Sequence, residues 1–372
     1  MIRAVGNPVN RAVRFPVRSL TSLSPVQESE DLCLDSLSRY LNDLSRSSGS
    51  ALLGRISSPL RGGDDISVKK FTHGQSNPTY LLHVRAGGDA GGELLKVVLR
   101  KKPPGKLLRG AHMVEREGEI MSKLKGSYAV PNFICLEEDD AIIGTPFIMY
   151  EYVEGDFYRD FALKGAKSRE VRAAVYESVV DKVAALHALD YEGLGLGSFG
   201  KGEGYVQRQV NVWIKQIQAV DVDNADLHQV SSWLLSKLSS SKSGSESGRG
   251  GFVQHKSIIH GDLRVDNMIF KEDGKISALL DWELSTIGDP GVDVASFCSG
   301  YHLRSDTPHL AGVSDLDDSQ LQELGLPTEL DFVSKYVAAT GYSEVAEEID
   351  FYYTFGAFRM ACILEGVKGK QC

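Results

Sequence analysis

The chain has 372 residues, of which 42% are hydrophobic and 24% charged, an ordinary globular composition with room for two lobes, each with its own core. A formal net charge of −9 argues against a nucleic-acid binder, whose footprint is a basic surface, and no apolar run approaches the roughly 18 residues of a membrane span. The five cysteines are scattered with no CxxC pair, which reads as reduced thiols in an intracellular compartment.

Residues 1–27 carry Arg3, Arg11, Arg14 and Arg18 and no acid. An Arg-rich, Ser-containing, acid-free segment fits an organelle transit peptide, although Pro8 and Pro16 would interrupt an amphipathic helix and suit a disordered basic extension instead. Taken as a targeting segment, 1–30 points to the mitochondrion; otherwise the cytoplasm or the peroxisome is expected. From Asp31 to Leu44, apolar residues at Leu34, Leu37, Leu41 and Leu44 keep helical spacing. Ile66–Phe71, Tyr80–Val84 and Leu94–Leu99 read as strands, and His112–Leu124 as a helix. Ile142 and Ile143 open a further extended stretch ending in PFIMYEYVEG. These elements describe a small α+β lobe over 31–154, with Gly155 as a hinge.

Beyond the hinge the pattern turns helical. Val171, Val175, Val179, Val183 and Leu186 form a core stripe along Arg169–His187. Helices follow at Tyr205–Val220, Asp226–Leu238, Glu329–Thr340 and Glu347–Val367. Residues 239–251, polar and low in complexity, read as a flexible loop within a larger lobe spanning 155–372.

The chemistry concentrates between Ile258 and Phe297, where two strand-like runs end in polar residues that a packed core would not choose. The first delivers His260, Asp262 and Asn267 as HGDxxxxN; the second delivers Asp281, followed by Asp289 and Asp293. Carboxylate, amide and carboxylate at the ends of adjacent strands are hard oxygen donors suited to Mg²⁺ with nucleotide phosphates. A metal hydrolase built on His260, Asp262 and Asp281 is the rival, weakened because no second His occurs in the stretch. Asp289 and Asp293 read most simply as local caps and turn residues.

The segments HGDLRVDN and DWELSTIGDP resemble the aminoglycoside-phosphotransferase and choline-kinase-like family, which shares the bilobal protein-kinase-like fold. FTHGQSNPTYLL, VVLRKKPPGKLLRGAH, EREGEIM and PFIMYEYVEG are similar to a branch fused to acyl-CoA dehydrogenases, in its family members ten and eleven. The resemblance implies an α+β architecture with a small β-rich N-lobe and a mainly helical C-lobe. It implies ATP and Mg²⁺ as cofactors, Asp262 as catalytic base, Asn267 and Asp281 as metal ligands, and His260 as a brace. Gly74, Ser76 and Asn77 would belong to a phosphate-covering turn. Arg100 would stand where protein kinases carry a phosphate-binding Lys, with Lys101 on the opposite face and Glu117 as its partner. Met149 would wall the adenine pocket, and backbone groups near Glu151 and Val153 would bond the base.

No Asp-Phe-Gly or Ala-Pro-Glu segment occurs, so protein phosphorylation is not expected. The expected partner is a small hydroxyl-bearing molecule, in this branch a CoA-linked or free hydroxy acid, with coupling to a separate acyl-CoA dehydrogenase. A nucleotide-binding pseudokinase and an aminoglycoside-type phosphotransferase are the alternatives.

Overall fold

The computed structural model describes residues 24–25, 32–71, 77–87, 92–103, 112–219, 224–240, 253–308 and 310–368. The basic extension apart from Ser24–Pro25, nearly all of the polar stretch at 239–251, and Gly74 and Ser76 lie outside them.

An antiparallel six-stranded sheet dominates the first lobe. Its strands are β1 (Ser24–Pro25), β2 (Ile66–Lys70), β3 (Thr79–Ala86), β4 (Glu93–Lys101), β5 (Phe133–Glu137) and β6 (Phe147–Glu151), in the order β1-β2-β3-β4-β6-β5. Alternation along β4 divides its side chains between two environments. Leu95, Val97 and Leu99 join a cluster with Leu34, Leu37 and Leu41 of helix α1 (Leu34–Ser47), whereas Val98 belongs to the core beneath, with Val114, Ile120, Met121 and Leu124 of helix α2 (Val114–Leu124). Arg100 shares the parity of Val98 and therefore faces the second lobe.

The sequence reading placed two boundaries differently. Helix α2 begins at Val114 because His112 has a left-handed backbone, φ 59°, which no helix accommodates. Ile142 and Ile143 lie in a turn; the edge strand is Phe133–Glu137, whose alternation is weak and whose residues are mostly half-buried.

The second lobe is mainly helical, built from α3 (Arg169–His187), α4 (Tyr205–Ala219), α5 (Ala225–Ser240), α6 (Gly291–Cys298), α7 (Asp318–Leu324), α8 (Glu329–Thr340), α9 (Ser343–Glu347) and α10 (Ile349–Lys368). Ser168 caps α3 by accepting from Val171 N–H, and Thr328 with Asp331 forms a capping box at the start of α8. Two short ribbons carry the polar motifs: β7 (Ser257–Ile259) paired with β10 (Thr286–Gly288), and β8 (Met268–Phe270) paired with β9 (Ile276–Leu279). The chain crosses between lobes at Gly155, where an added Cβ would stand 2.4 Å from Phe270 O. That close approach lets Asp156 and Phe270 exchange backbone hydrogen bonds of 2.7 and 2.9 Å, stitching the connector to the strand after the HGD loop. Among the described residues no helix is long and apolar enough to cross a membrane.

Helix α1 covers the back of the sheet with fully buried leucines, so it is part of the folding unit. Replacing Leu41 by Ala should destabilise the protein by about 2–5 kcal/mol in urea unfolding, through lost burial and a residual cavity.

Candidate active site

Strand β7 delivers His260 and the turn that follows. Gly261 has φ 81°, and a Cβ there would meet Leu284 O at 2.5 Å, so only glycine allows this bend. The bend presents Asp262, partly exposed, to the cleft between the lobes. A single 3₁₀ turn, Val265–Asn267, then returns the chain so that Asn267 Nδ2 donates to Asp262 O at 2.9 Å and to Asp262 Oδ2 at 3.2 Å. The sequence-predicted pair is therefore in direct contact.

His260 is fully buried beneath this loop. Its Nε2 donates to Leu280 O at 2.8 Å and its Nδ1 accepts from Asp262 N–H at 3.4 Å, which fixes the tautomer. The ring packs on Trp282, 4.8 Å between centroids. These contacts support a bracing role and leave no ring nitrogen for a metal.

Asp293 is a correction to the local-cap reading. It is completely buried, and its two oxygens accept from His260 N–H at 2.6 Å and Gly261 N–H at 2.8 Å. His187 Nε2 on α3 lies 3.3 Å away, and His187 Nδ1 contacts Tyr336 Oη at 2.9 Å. Burial alone would raise the Asp293 carboxyl, but the hydrogen bonds from His187 and from the His260 N–H hold it below the ordinary range. Asp289 does behave as a local cap, accepting from Gly291 N–H at 3.1 Å and from Tyr352 O–H at 2.8 Å.

The second half of the site is built around Arg100. Asp281, two residues after β9, takes a left-handed conformation, φ 65°, unusual for a side chain with a Cβ and typical of functional turns. Its Oδ1 lies 2.7 Å from Arg100 Nη2. The same guanidinium reaches Glu117 on α2 at 3.1 Å and Glu283 at 3.3 Å. Burial would lower the Arg100 pKa, but the Glu117, Asp281 and Glu283 charges hold it above its ordinary value. Burial pushes the Glu117 carboxyl upward while Arg100 pulls it down. Lys101 lies on the other face of β4, its Nζ 5.7 Å from the Tyr80 ring centroid.

A cavity of about 380 Å³ joins these groups. Asp262, Asn267 and Asp281 line it from one lobe, and Asn77, Thr79 and Arg100 from the other. Val98, Tyr150, Tyr152, Val153 and Ile269 supply an apolar wall suited to a flat ring. Met149 does not contribute: one step out of phase with Tyr150, it pairs with Leu99 and packs beneath α1. Glu151 also stands off the cavity, its carboxylate accepting from Asn132 Nδ2 at 3.1 Å and its N–H donating to Asn132 O. The parity error arose because PFIMYEYV is apolar on both faces of a buried strand.

Three residues in the motifs were given no role from sequence. Glu283 accepts from Asn77 Nδ2 at 2.9 Å as well as pairing with Arg100, and Arg264 and Asp266 line the cavity beside Asp262. Their signal was position: all three fall inside the two strings that carry the site.

The donor set fits a magnesium–nucleotide pair. Among the described residues no trio of His, Cys, Asp or Glu side chains gathers round a point, as an all-protein cage would require. Asn267 and Asp281 on one cavity wall instead offer the few oxygen donors that Mg²⁺ uses when phosphates complete its shell. Asn267 Nδ2 is turned to Asp262, which leaves Oδ1 as its donor atom.

Removing the Asp293 carboxylate strands two loop N–H groups and a histidine in the core. Asp293→Ala should cost about 3–5 kcal/mol in chemical denaturation and abolish activity, while Asp293→Asn, which keeps one acceptor, should cost less.

The phosphotransferase enzyme family model matches residues 67–324, more than half of the chain and including every residue placed in the cleft. The mouse acyl-CoA dehydrogenase family member 10 is 35% identical over 357 residues, covering 95% of this chain but 30% of that protein. The human acyl-CoA dehydrogenase family member 11 is 33% identical over 305 residues, 81% of this chain and 36% of that protein. The chain thus spans about a third of the length of these curated relatives. Among solved structures, a Ralstonia eutropha JMP134 protein, provisionally an aminoglycoside phosphotransferase, superposes with a TM-score of 0.67 at 29% identity, covering 90% of this chain and 88% of its own. Choline kinase from Cryptosporidium parvum shares the fold, with a TM-score of 0.50 at 14% identity over 89% of this chain and 95% of its own. The fold is α+β and protein-kinase-like, and the chain belongs to the phosphotransferase enzyme family, whose members transfer a phosphoryl group to a hydroxyl acceptor.

Proposed function

We propose that the chain is an ATP- and Mg²⁺-dependent small-molecule kinase whose acceptor is the hydroxyl of a hydroxyacyl-CoA or a related hydroxy acid. The observation that carries the nucleotide half is the meeting of Asp262, Asn267, Asp281 and Arg100 on one interlobe cavity. Asp262 would accept the acceptor hydroxyl proton at Oδ1, since Oδ2 is engaged by Asn267. That proton leaves as the hydroxyl oxygen attacks, so base and nucleophile must share the floor of the cleft. Asn267 Oδ1 and an Asp281 oxygen would hold Mg²⁺, which when bound screens the phosphate charge. Arg100 would face the phosphates while Glu117 and Glu283 keep its guanidinium in place. The aromatic wall of Tyr150 and Tyr152 would exclude water from the base pocket.

The acceptor half rests on a second groove of about 680 Å³ bordered by the Glu283–Thr286 segment, which would hold the anionic, acyl-bearing part of the acceptor while its hydroxyl reaches Asp262 in the cleft. Arg116, Lys201 and Arg208 line it together with the apolar or aromatic Met113, Phe199, Tyr205 and Leu284. From α10, Arg359 Nη1 donates to Gly261 O at 3.1 Å, adding a cation at the loop that bears Asp262. Cations interleaved with apolar surface suit an anionic, acyl-bearing acceptor and repel a polycationic aminoglycoside. The names of the curated relatives favour the same acceptor, and functional coupling to an acyl-CoA dehydrogenase belongs to this proposal.

Purified protein with ATP and Mg²⁺ should release ADP in the presence of hydroxyacyl-CoAs of some chain length. Asp262→Asn should lower that turnover by about a hundredfold or more, and Asp281→Ala should abolish the Mg²⁺-dependent turnover, both with unchanged circular dichroism. Tight nucleotide binding with no turnover on any acceptor, unchanged in Asp262→Asn, would identify a pseudokinase instead.

A further inference from the structure

The groove of about 680 Å³ gathers three cations, Arg116, Lys201 and Arg208. Acids outnumber bases in the chain, 50 to 41, so partners for them are not scarce. Yet among the described residues none of the three lies within ion-pair distance of a carboxylate. Glu283, the acid that lines the groove, is engaged elsewhere, by Arg100 at 3.3 Å and by Asn77 Nδ2 at 2.9 Å. Arg116 is the most firmly held of the three. Its Nη2 donates to Phe199 O, to Ser285 O at 3.1 Å and to Thr286 Oγ1 at 3.2 Å, and its Nε donates to Ser285 O at 3.3 Å. The guanidinium carbon stands 3.9 Å over the Phe199 ring centroid. Among the described residues Nη1 makes no bond.

Every oxygen that Arg116 meets is neutral. A neutral amide could donate to the same carbonyls, so the fold makes use of the donors but not of the charge. Half-burying a cation without a counter-ion has a cost, and burial does push the Arg116 pKa down, opposed only by Glu119 on the same helix. The stacked, edge-held guanidinium keeps its remaining nitrogen in a fixed direction, so little side-chain freedom is lost when an anion binds there. Its placement suits an acceptor. Ser285 and Thr286 follow Leu284, whose carbonyl lies against Gly261, so the wall that Arg116 grips adjoins the loop carrying Asp262. Arg116 also comes from α2 of the small lobe, where the next residue, Glu117, pairs with Arg100 in the nucleotide cavity. One turn of this helix therefore serves both cavities.

We propose that Arg116 is a specificity-determining residue: through Nη1 it receives the anionic group of the acceptor, so that the small lobe as well as the helical lobe reads that molecule. This role rests on the acceptor reading of the groove. The anion is a phosphate if the acceptor is CoA-linked and a carboxylate if it is a free hydroxy acid; the chemistry that recognises either is the same bidentate-capable cation with an aromatic ring behind it. The bland alternative is a tie between lobes, in which Arg116 only holds Ser285 and Phe199 in place and its removal weakens every acceptor alike.

Matched acceptors that differ only in charge separate the two. With the full chain and saturating ATP and Mg²⁺, kcat and KM are measured for a hydroxyacyl-CoA against the same hydroxyacyl-pantetheine, which lacks the phosphates, and for a free hydroxy acid against its methyl ester. Wild-type protein should favour the charged member of one pair, and which pair it is identifies the anion. Arg116→Gln should reduce that charged-over-neutral ratio in kcat/KM about tenfold, through KM and with the KM for ATP moving less than about threefold, as expected for one charge-assisted contact. Arg116→Lys, which keeps the charge but not the fork, should retain part of the ratio, and it carries the comparison if Arg116→Gln fails to fold. A ratio unchanged in both variants, or a wild-type enzyme indifferent to acceptor charge, would overturn the role of Arg116 while leaving the kinase assignment in place. Wild-type protein that binds ADP with Mg²⁺ in calorimetry but turns over none of the four acceptors would overturn the acceptor reading and this role with it.

Discussion

One buried guanidinium ties the two lobes together. Arg100 comes from the sheet and Glu117 from the helix beneath it, while Asp281 and Glu283 come from the other lobe. A buried cation is costly unless paired, and here it is paired with three acids at once, so the lobes cannot separate without stranding charge. The arrangement also leaves more negative than positive charge at the mouth of the cleft. A divalent cation beside Asp281 answers that surplus. On the proposed reading, the contacts that hold the walls of the pocket together are also those that would favour a metal-bound nucleotide.

On the far side of the cleft, a second buried charge does comparable work. Asp293 does not line the cavity, yet both its oxygens are spent on consecutive N–H groups of the loop that carries Asp262. His187 and Tyr336 support it from α3 and α8, linking the loop to the helical core. His260 then fixes Leu280, the residue before Asp281, and packs on Trp282 just after it. The segments that carry Asp262 and Asp281, the proposed base and metal ligand, are therefore positioned by one continuous hydrogen-bonded unit. Flexibility at either end would move both.

Much of this was legible in the sequence because spacing and chemistry coincide there. Glycine before Asp262, five residues to Asn267 and a strand before Asp281 leave few other arrangements, and the structure brings all three to one cavity. The parity of VVLR correctly separated Arg100 from Lys101, since val-leu alternation on a sheet with two distinct faces fixes direction. Parity failed for Met149, on a strand buried on both sides, where either face could have met the cleft. The long reach of Asp293 to the HGD loop had no local signal at all, because a carboxylate near a helix start looks the same whether it caps its own helix or a loop 32 residues away. Edge strand β5 had no assignment and the turn at Ile142 read as extended for a related reason: short apolar runs do not declare their conformation without their neighbours. Gly74 and Ser76 fall outside the described residues, and of that turn only Asn77 can be placed, on Glu283.

The position of a bound divalent ion tests the proposed roles of Asn267 and Asp281 most directly. Crystals grown with ADP and Mn²⁺ in place of Mg²⁺ would show the ion by its anomalous scattering. The arrangement of Arg100, Asn267 and Asp281 predicts a peak in the interlobe cavity within bonding distance of Asn267 Oδ1, an Asp281 oxygen and a phosphate oxygen of the nucleotide. A nucleotide-bound structure with the ion held elsewhere, or with Asn267 and Asp281 both turned away from it, would contradict that account.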